Sequence, residues 1–149
     1  MKAVIQRVNW AKVHVDGECK GAIEKGLLVL LGVHRNDEDK DLEMMLDRIL
    51  KMRIFSDNDG RMNDSIRDAE GGILVISQFT LFGRMKKGTR PGFSESAGKE
   101  KAIAYYEKFL SRLREEFNGL VQEGVFAADM KVSLENDGPV TISLDTFQL

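Results

Sequence analysis

Two short segments of the chain carry residue types that could do chemistry. Ser77-Gln78-Phe79-Thr80-Leu81 sets two hydroxyls and an amide at the end of an apolar run, just before a long polar stretch. Strand ends beside loops are where a scaffold presents reactive groups. The plainer alternative is that Ser77 and Thr80 satisfy nearby backbone groups. The second segment is Asn136-Asp137-Gly138-Pro139-Val140-Thr141. Asn-Asp-Gly-Pro is turn chemistry. A Gly-Pro bond directly before a strand is less usual, because X-Pro bonds reach the cis form at a cost of only about 0.5–1 kcal/mol. Such a turn could aim two backbone oxygens outward as an acceptor pair. Between the segments lie Arg84, Lys86, Lys87 and Arg90, with no acid among them. Alone they read as a solvated loop; beside a site they suit phosphate contact.

Other chemistries lack their residues. The chain has 2 histidines, His14 and His34, far apart and without paired metal-ligand spacing, so neither a metal site nor a cofactor is expected. His14 reads as part of a polar strand face and His34 as a strand-end loop residue. No G-x-S-x-G turn announces a serine nucleophile. Cys19 has Lys20 beside it but no implied histidine, and reads as a small half-buried residue.

The elements that must position these groups follow from periodicity. Lys2–Val15 reads as a strand, with Ala11, Val13 and Val15 alternating against Lys12, His14 and Asp16. Asp16-Gly17 signals a tight turn into a short strand near Cys19–Ile23. Leu27–Val33 is an apolar strand. A helix follows, with Leu42, Met45, Leu46 and Ile49 on one stripe and Asn36 or Asp37 as N-cap. Arg53–Phe55 and Arg61–Met62 flank Asn58-Asp59-Gly60, a hairpin signal. Ile73–Thr80 reads as a strand and 82–98 as a long loop of functional length. A second helix is expected over Lys99–Phe117, with Ala102, Ile103, Tyr106, Phe109, Leu110 and Leu113 on one face. Two last strands, near Met130–Leu134 and Val140–Leu144, surround the Gly-Pro turn. Strand runs broken by only two helices indicate an α+β fold: a mainly antiparallel curved sheet or half-open barrel, with both helices covering one side.

Bulk properties set the bounds. A chain of 149 residues with 42% apolar content suits one domain, 1–149, with a sizeable core. No run of about 18 apolar residues is present, so no membrane helix is expected, and the alternating start lacks a secretory h-region. A single cysteine fits a reducing, cytoplasmic setting. A formal charge of −2 argues against bulk electrostatic attraction to nucleic acid while leaving room for a local basic patch. DNA is not an expected partner.

The two segments resemble the signature motifs of the bacterial and eukaryotic D-aminoacyl-tRNA deacylases. The resemblance runs the length of the chain, through Val4-Ile5-Gln6-Arg7-Val8, the strand from Gly26 to Val33, Arg53-Ile54-Phe55-Ser56-Asp57 and Phe126-Ala127-Ala128-Asp129-Met130. It implies a homodimer acting on aminoacyl-tRNA, with active sites at the subunit interface. It implies that Ser77, Gln78, Phe79 and Thr80 line the catalytic pocket and offer main-chain N–H groups. Gly138 and Pro139, joined by a cis bond, would enter the partner's pocket and exclude an L side chain. Arg7 would fix the partner's Gly-Pro turn, Met130 would lie near the pocket mouth, and Arg84, Lys86, Lys87 and Arg90 would contact tRNA. Glycyl-tRNA mischarged on tRNA(Ala) is a further substrate under this scheme. One departure is Phe82-Gly83-Arg84, where small residues are expected, and it leaves the pocket entrance open. Two other functions compete: a noncatalytic tRNA-binding module, and a relative of relaxed chirality that clears L-alanyl-tRNA.

Overall fold

The computed structural model describes residues 1–86 and 88–149. The expectation for Lys87 lies outside the described residues.

The long first strand β1 (Lys2–Val15) organises the sheet. It turns back into β2 (Glu18–Ile23) through Asp16-Gly17. Both turn residues have positive φ, 50° and 78°, the conformation that a two-residue hairpin needs and that Gly supplies at no steric cost. Cys19 sits exposed near this turn, not half-buried, because β2 begins beyond the cover of the core. The next strand, β3 (Gly26–Gly32), runs antiparallel to the first half of β1.

Beyond β3 the sheet departs from the mainly antiparallel expectation. A helix, α1 (Asp39–Lys51), and a small hairpin of β4 (Phe55–Ser56) and β5 (Met62–Asp64) lead into β6 (Gly72–Ser77), which pairs parallel to β3. A second helix, α2 (Lys99–Glu116), leads into β7 (Val121–Glu123), parallel to β6. Both helices are therefore crossover connections, as parallel neighbours require. The last strand, β8 (Lys131–Asp145), returns antiparallel along the other side of β1. The sheet is mixed, in the order β2-β1-β3-β6-β7 with β8 branching from β1. It curls until β2 approaches β7: the Ala22 amide donates to Gln122 Oε1 at 3.4 Å. A Cβ on Gly21 would lie 2.8 Å from the Glu123 carbonyl oxygen, so the near-closure depends on that glycine.

Period-2 alternation divides the apolar residues between two sides. Leu27, Val29, Leu31, Ile73 and Val75 pack under Leu42, Met45, Leu46 and Ile49 of α1 and Phe109, Leu110 and Leu113 of α2. Leu28, Leu74 and Ile76 face the other way, against Val8, Ala11, Val13 and Ile23. The continuous run in β3 is thus buried on both faces, the usual state of a parallel strand under crossover helices. Helix α1 starts after Glu38, not after Asn36 or Asp37. Asp41 caps the Glu38 amide at 2.8 Å. Asp37 instead accepts from the His34 amide and the Met1 ammonium, each at 2.6 Å. No helix among the described residues is long and apolar enough to cross a membrane.

Two further differences concern the motifs. β6 stops at Ser77, short of Thr80, and Phe79–Phe82 wind into a 3-10 turn. The Gln78 amide makes a last bond to the Leu31 carbonyl at 2.8 Å before the chain turns. The final two expected strands are one strand, β8. Its ladder with β1 joins Val8 to Asn136 and Gln6 to Thr141. Arg7 alone therefore faces residues 137–140, which leave the ladder as a large bulge.

Candidate functional site

A cleft of about 600 Å³ opens where β3 and β6 end and α2 begins. Ser77, Gln78 and Phe79 form one wall, and Phe126–Ala128 with Met130 form another. The floor includes Tyr106, whose hydroxyl donates to the Val75 carbonyl at 3.0 Å and whose ring lies 5.8 Å from that of Phe126. Burial pushes the Tyr106 phenol well above its ordinary range, with a smaller push from Glu123. It is a neutral donor fixed to backbone, not a base.

The corner from Gln78 to Gly83 is anchored from beneath. Phe82 is fully buried and lies 5.5 Å from the His34 ring. Its place exists because residue 32 is glycine: a Cβ there would come within 2.9 Å of the Phe82 ring and 3.0 Å of the Gln78 carbonyl oxygen. Phe82 therefore points into the core and does not line the cleft. Above it, Phe79 is exposed and stacks edge-on against Phe93 at 5.1 Å. The first amides of a helical turn have no partner within that turn. Among the described residues, no hydrogen-bond partner is found for the amides of Phe79 and Thr80. Thr80 itself is exposed, outside the cleft lining, and its Oγ1 accepts from Gln78 Nε2.

The Gly-Pro bulge is equally well held, but elsewhere. The Gly138-Pro139 bond is cis and Gly138 has φ 131°. Asn136 Oδ1 accepts from the Val140 amide at 3.0 Å, and its Nδ2 donates to Thr141 Oγ1 at 2.9 Å. Arg7 donates to the Asp137 carbonyl at 3.2 Å and to the Ile54 carbonyl at 2.6 Å, and pairs with the Asp137 carboxylate at 3.1 Å. The resemblance put Arg7 on a partner's turn; within this chain it grips the turn beside it. Ser77 is level with Leu31 and Ala3, whereas Arg7 is level with Leu27. That offset is four strand residues, roughly 13 Å. Neither Gly138 nor Pro139 lines the cleft of its own chain.

Phe93, Ser96 and Ala97 add a further part of the lining. Arg84 and Gly92 exchange two backbone bonds of 2.9 Å, and Arg84 pairs with Glu95 at 3.0 Å. That hydrogen-bonded pair holds the Glu95 carboxyl below its usual range. Lys86 and Arg90 form no ion pair among the described residues. The sequence did not single out Phe93, Lys99 or Phe126 as lining residues. Ala102 and Tyr106 were read only as core, although their i,i+4 spacing is what brings both to the cleft. Neither histidine nor a carboxylate lines the cleft among the described residues. No cluster of three or more His, Cys, Asp or Glu is placed to hold a metal among them.

Fold and cleft define the class: an α+β, nearly closed half-barrel with a largely apolar cleft that carries neither a histidine nor a carboxylate among the described residues. Comparison with known proteins narrows this. A family model described as D-Tyr-tRNA(Tyr) deacylase matches residues 4–145. A D-aminoacyl-tRNA deacylase of Thermosipho melanesiensis is 54% identical over 146 residues, covering 98% of this chain and 97% of its own. One of Dictyoglomus turgidum is 50% identical over 149 residues, covering 100% and 95%. A solved structure named c-Myc DNA Unwinding Element Binding Protein superposes with TM-score 0.93 at 44% identity, covering 97% of this chain and 98% of that one. A probable eukaryotic D-amino acid tRNA deacylase shares the fold, with TM-score 0.79 at 18% identity over 96% of this chain and 97% of that one. The chain belongs to the D-Tyr-tRNA(Tyr) deacylase family.

Proposed function

We propose that this protein hydrolyses the ester bond of D-aminoacyl-tRNA, releasing free D-amino acid and tRNA, as a proofreading step in translation. The observation that carries the reading, beside family membership, is a cleft with open main-chain amides at its wall and next to it, at Phe79 and Thr80, and neither a histidine nor a carboxylate among its described lining residues. An aminoacyl ester is already activated, so modest catalysis suffices. The Phe79 and Thr80 amides receive the negative charge that develops on the carbonyl oxygen; a single donor of this kind is worth ~3–4 kcal/mol. The attacking water is oriented by the ribose hydroxyl of the substrate. Thr80 is not the nucleophile: its hydroxyl is engaged by Gln78 and has no activating base.

Chiral selection comes from a second copy of the chain. In a two-fold homodimer, Gly138 and Pro139 of one copy enter the cleft of the other, near Ser77–Phe79 and Met130. Their carbonyl oxygens stand where an L side chain would lie. Two features support this: the bulge does not line the cleft of its own chain, and it is held by Asn136 and Arg7. Two-fold symmetry would make the exchange reciprocal. Glycine has no side chain to exclude, so glycyl-tRNA mischarged on tRNA(Ala) is also a substrate. Lys86, Lys87 and Arg90 contact tRNA phosphates, with Arg84 tied to Glu95 as a strut. Residues 1–149 act as one domain, in the cytoplasm. The test is turnover of matched D- and L-tyrosyl-tRNA. Hydrolysis of the D ester with the L ester spared is expected; binding that protects both esters would make the protein a noncatalytic tRNA-binding module.

A further inference from the structure

Lys99 is the one charged residue among the described residues that line the cleft. It opens α2, is exposed, and has no hydrogen-bond or ion-pair partner among the described residues. Neighbouring cations are engaged. Arg84 is paired with Glu95 at 3.0 Å, Lys108 with Asp39 at 2.7 Å, and Lys101 donates to the Arg35 carbonyl at 2.8 Å. Lys99 thus stands unpaired on the lining of a cleft that carries no other charged side chain among the described residues, and an opposite charge beside low-dielectric walls interacts more strongly than in bulk.

The substrate chemistry says what that cation meets. In an aminoacyl ester the amino-acid carboxyl is esterified and uncharged. The α-ammonium is positive and repelled by Lys99. The terminal ribose and adenine are neutral. The first anion along the substrate is the phosphodiester on the 5′ oxygen of the terminal nucleotide. We propose that Lys99 is a positioning residue that binds this terminal phosphodiester, so that the nucleotide lies toward the start of α2 and the aminoacyl end lies toward Ser77–Phe79. This rests on the deacylase reading above. It adds an orientation: attraction at one end and like-charge repulsion at the other disfavour the reversed pose.

The test compares two small esters, 3′-O-D-tyrosyl-adenosine and the same ester carrying a 5′-methylphosphate diester, with wild type, Lys99→Met and Lys99→Arg. The quantity read is the ratio of kcat/KM for the phosphorylated over the unphosphorylated ester. Wild type is expected to favour the phosphorylated ester about tenfold, the scale of one charge-assisted contact. Lys99→Met brings the ratio close to unity, and Lys99→Arg keeps most of it. With D-tyrosyl-tRNA, Lys99→Met also lowers the log–log salt slope of binding by roughly 0.7, one single-strand phosphate contact. A purely structural role for Lys99 would not make the loss depend on the phosphate. A wild-type ratio near unity, or a Lys99→Met ratio equal to wild type, overturns the proposal. Failure of wild type to cleave either ester or D-tyrosyl-tRNA would instead remove the deacylase reading on which it rests.

Discussion

The Gln78–Gly83 corner and the Asn136–Thr141 bulge both interrupt a strand, yet they are built in opposite ways. The corner is pinned from inside: Phe82 fills the space under Gly32, and the open amides of Phe79 and Thr80 are by-products of a turn the core enforces. The bulge is pinned from its edges, by the Asn136 side chain and the Arg7 guanidinium, with Val140 as the core residue beside its glycine. The corner lines the cleft of its own chain, whereas Gly138 and Pro139 of the bulge do not. In the proposed shared site, one half would be held by packing and the other by polar staples. The first ties function to stability, and the second leaves the two separable.

The largest expected effect follows from removing the internal pin. Phe82→Ala should lower unfolding stability by about 3–5 kcal/mol, as for other buried aromatic truncations, and activity should fall with it. Chemical denaturation and turnover of D-tyrosyl-tRNA on the same sample check this; a loss of activity at unchanged stability would break the contrast. Gly138→Ala should do the reverse. At φ 131° an L residue is strained, and its Cβ would lie 2.8 Å from Val140 Cγ2 and 3.1 Å from Arg7 Nη2. A displacement of about 1 Å in a positioning group costs on the order of a hundredfold in rate. Circular dichroism should show the fold retained while deacylation falls by that factor.

How far each region could be read from sequence follows the same division. β1, the Asp16-Gly17 hairpin and the stripes of both helices were legible, because periodicity and turn chemistry are local. Both motifs were found as residue strings. Their geometry was less legible. The 3-10 turn at Phe79 depends on Gly32, which lies 47 positions away in the chain. The bulge was read as a turn between two strands, because Asn-Asp-Gly-Pro looks alike in either setting; only its partner β1 reveals that the ladder resumes. The parallel pairs were missed although β3 carried their signature, an unbroken apolar run followed by a helix. β7 has only three residues and no periodicity to detect. Lys99 gave no signal at all, since one lysine opening a helix is ordinary until the cleft beside it is seen to hold no other charge.

Smaller effects sharpen the picture. Thr80→Ala should keep deacylation within about threefold of wild type. The proposed donor is the amide, not the hydroxyl, and losing one exposed hydrogen bond costs only about 0.5–1 kcal/mol. Trapping a covalent aminoacyl-Thr80 species would contradict this. The smallest effect lies away from both motifs, where Arg112 bridges α2 to Glu43 of α1 at 2.8 Å. This hydrogen-bonded pair lowers the Glu43 pKa. A carboxylate with a depressed folded pKa adds stability above its unfolded pKa of about 4.3 and loses it as pH falls through the folded value. Both side chains are about one-third or more exposed, so Glu43→Gln should cost only a few tenths of a kcal/mol at neutral pH. The difference from wild type should shrink toward zero below that pH window. A constant difference across pH would assign the loss to packing.

The central claim is that each site takes its cleft from one chain and its bulge from another, and mixed dimers test it most directly. Phe79→Pro removes one proposed donor at the first position of the 3-10 turn, where proline is tolerated, and Gly138→Ala disables the bulge. Each homodimer should be nearly inactive. Co-expressed with different tags, the two chains form hybrids in which one of two sites joins an intact cleft to an intact bulge. Purified hybrids should hydrolyse D-tyrosyl-tRNA at about half the wild-type rate per dimer and leave L-tyrosyl-tRNA uncleaved. Hybrids as inactive as the two parent variants would contradict a site shared between chains.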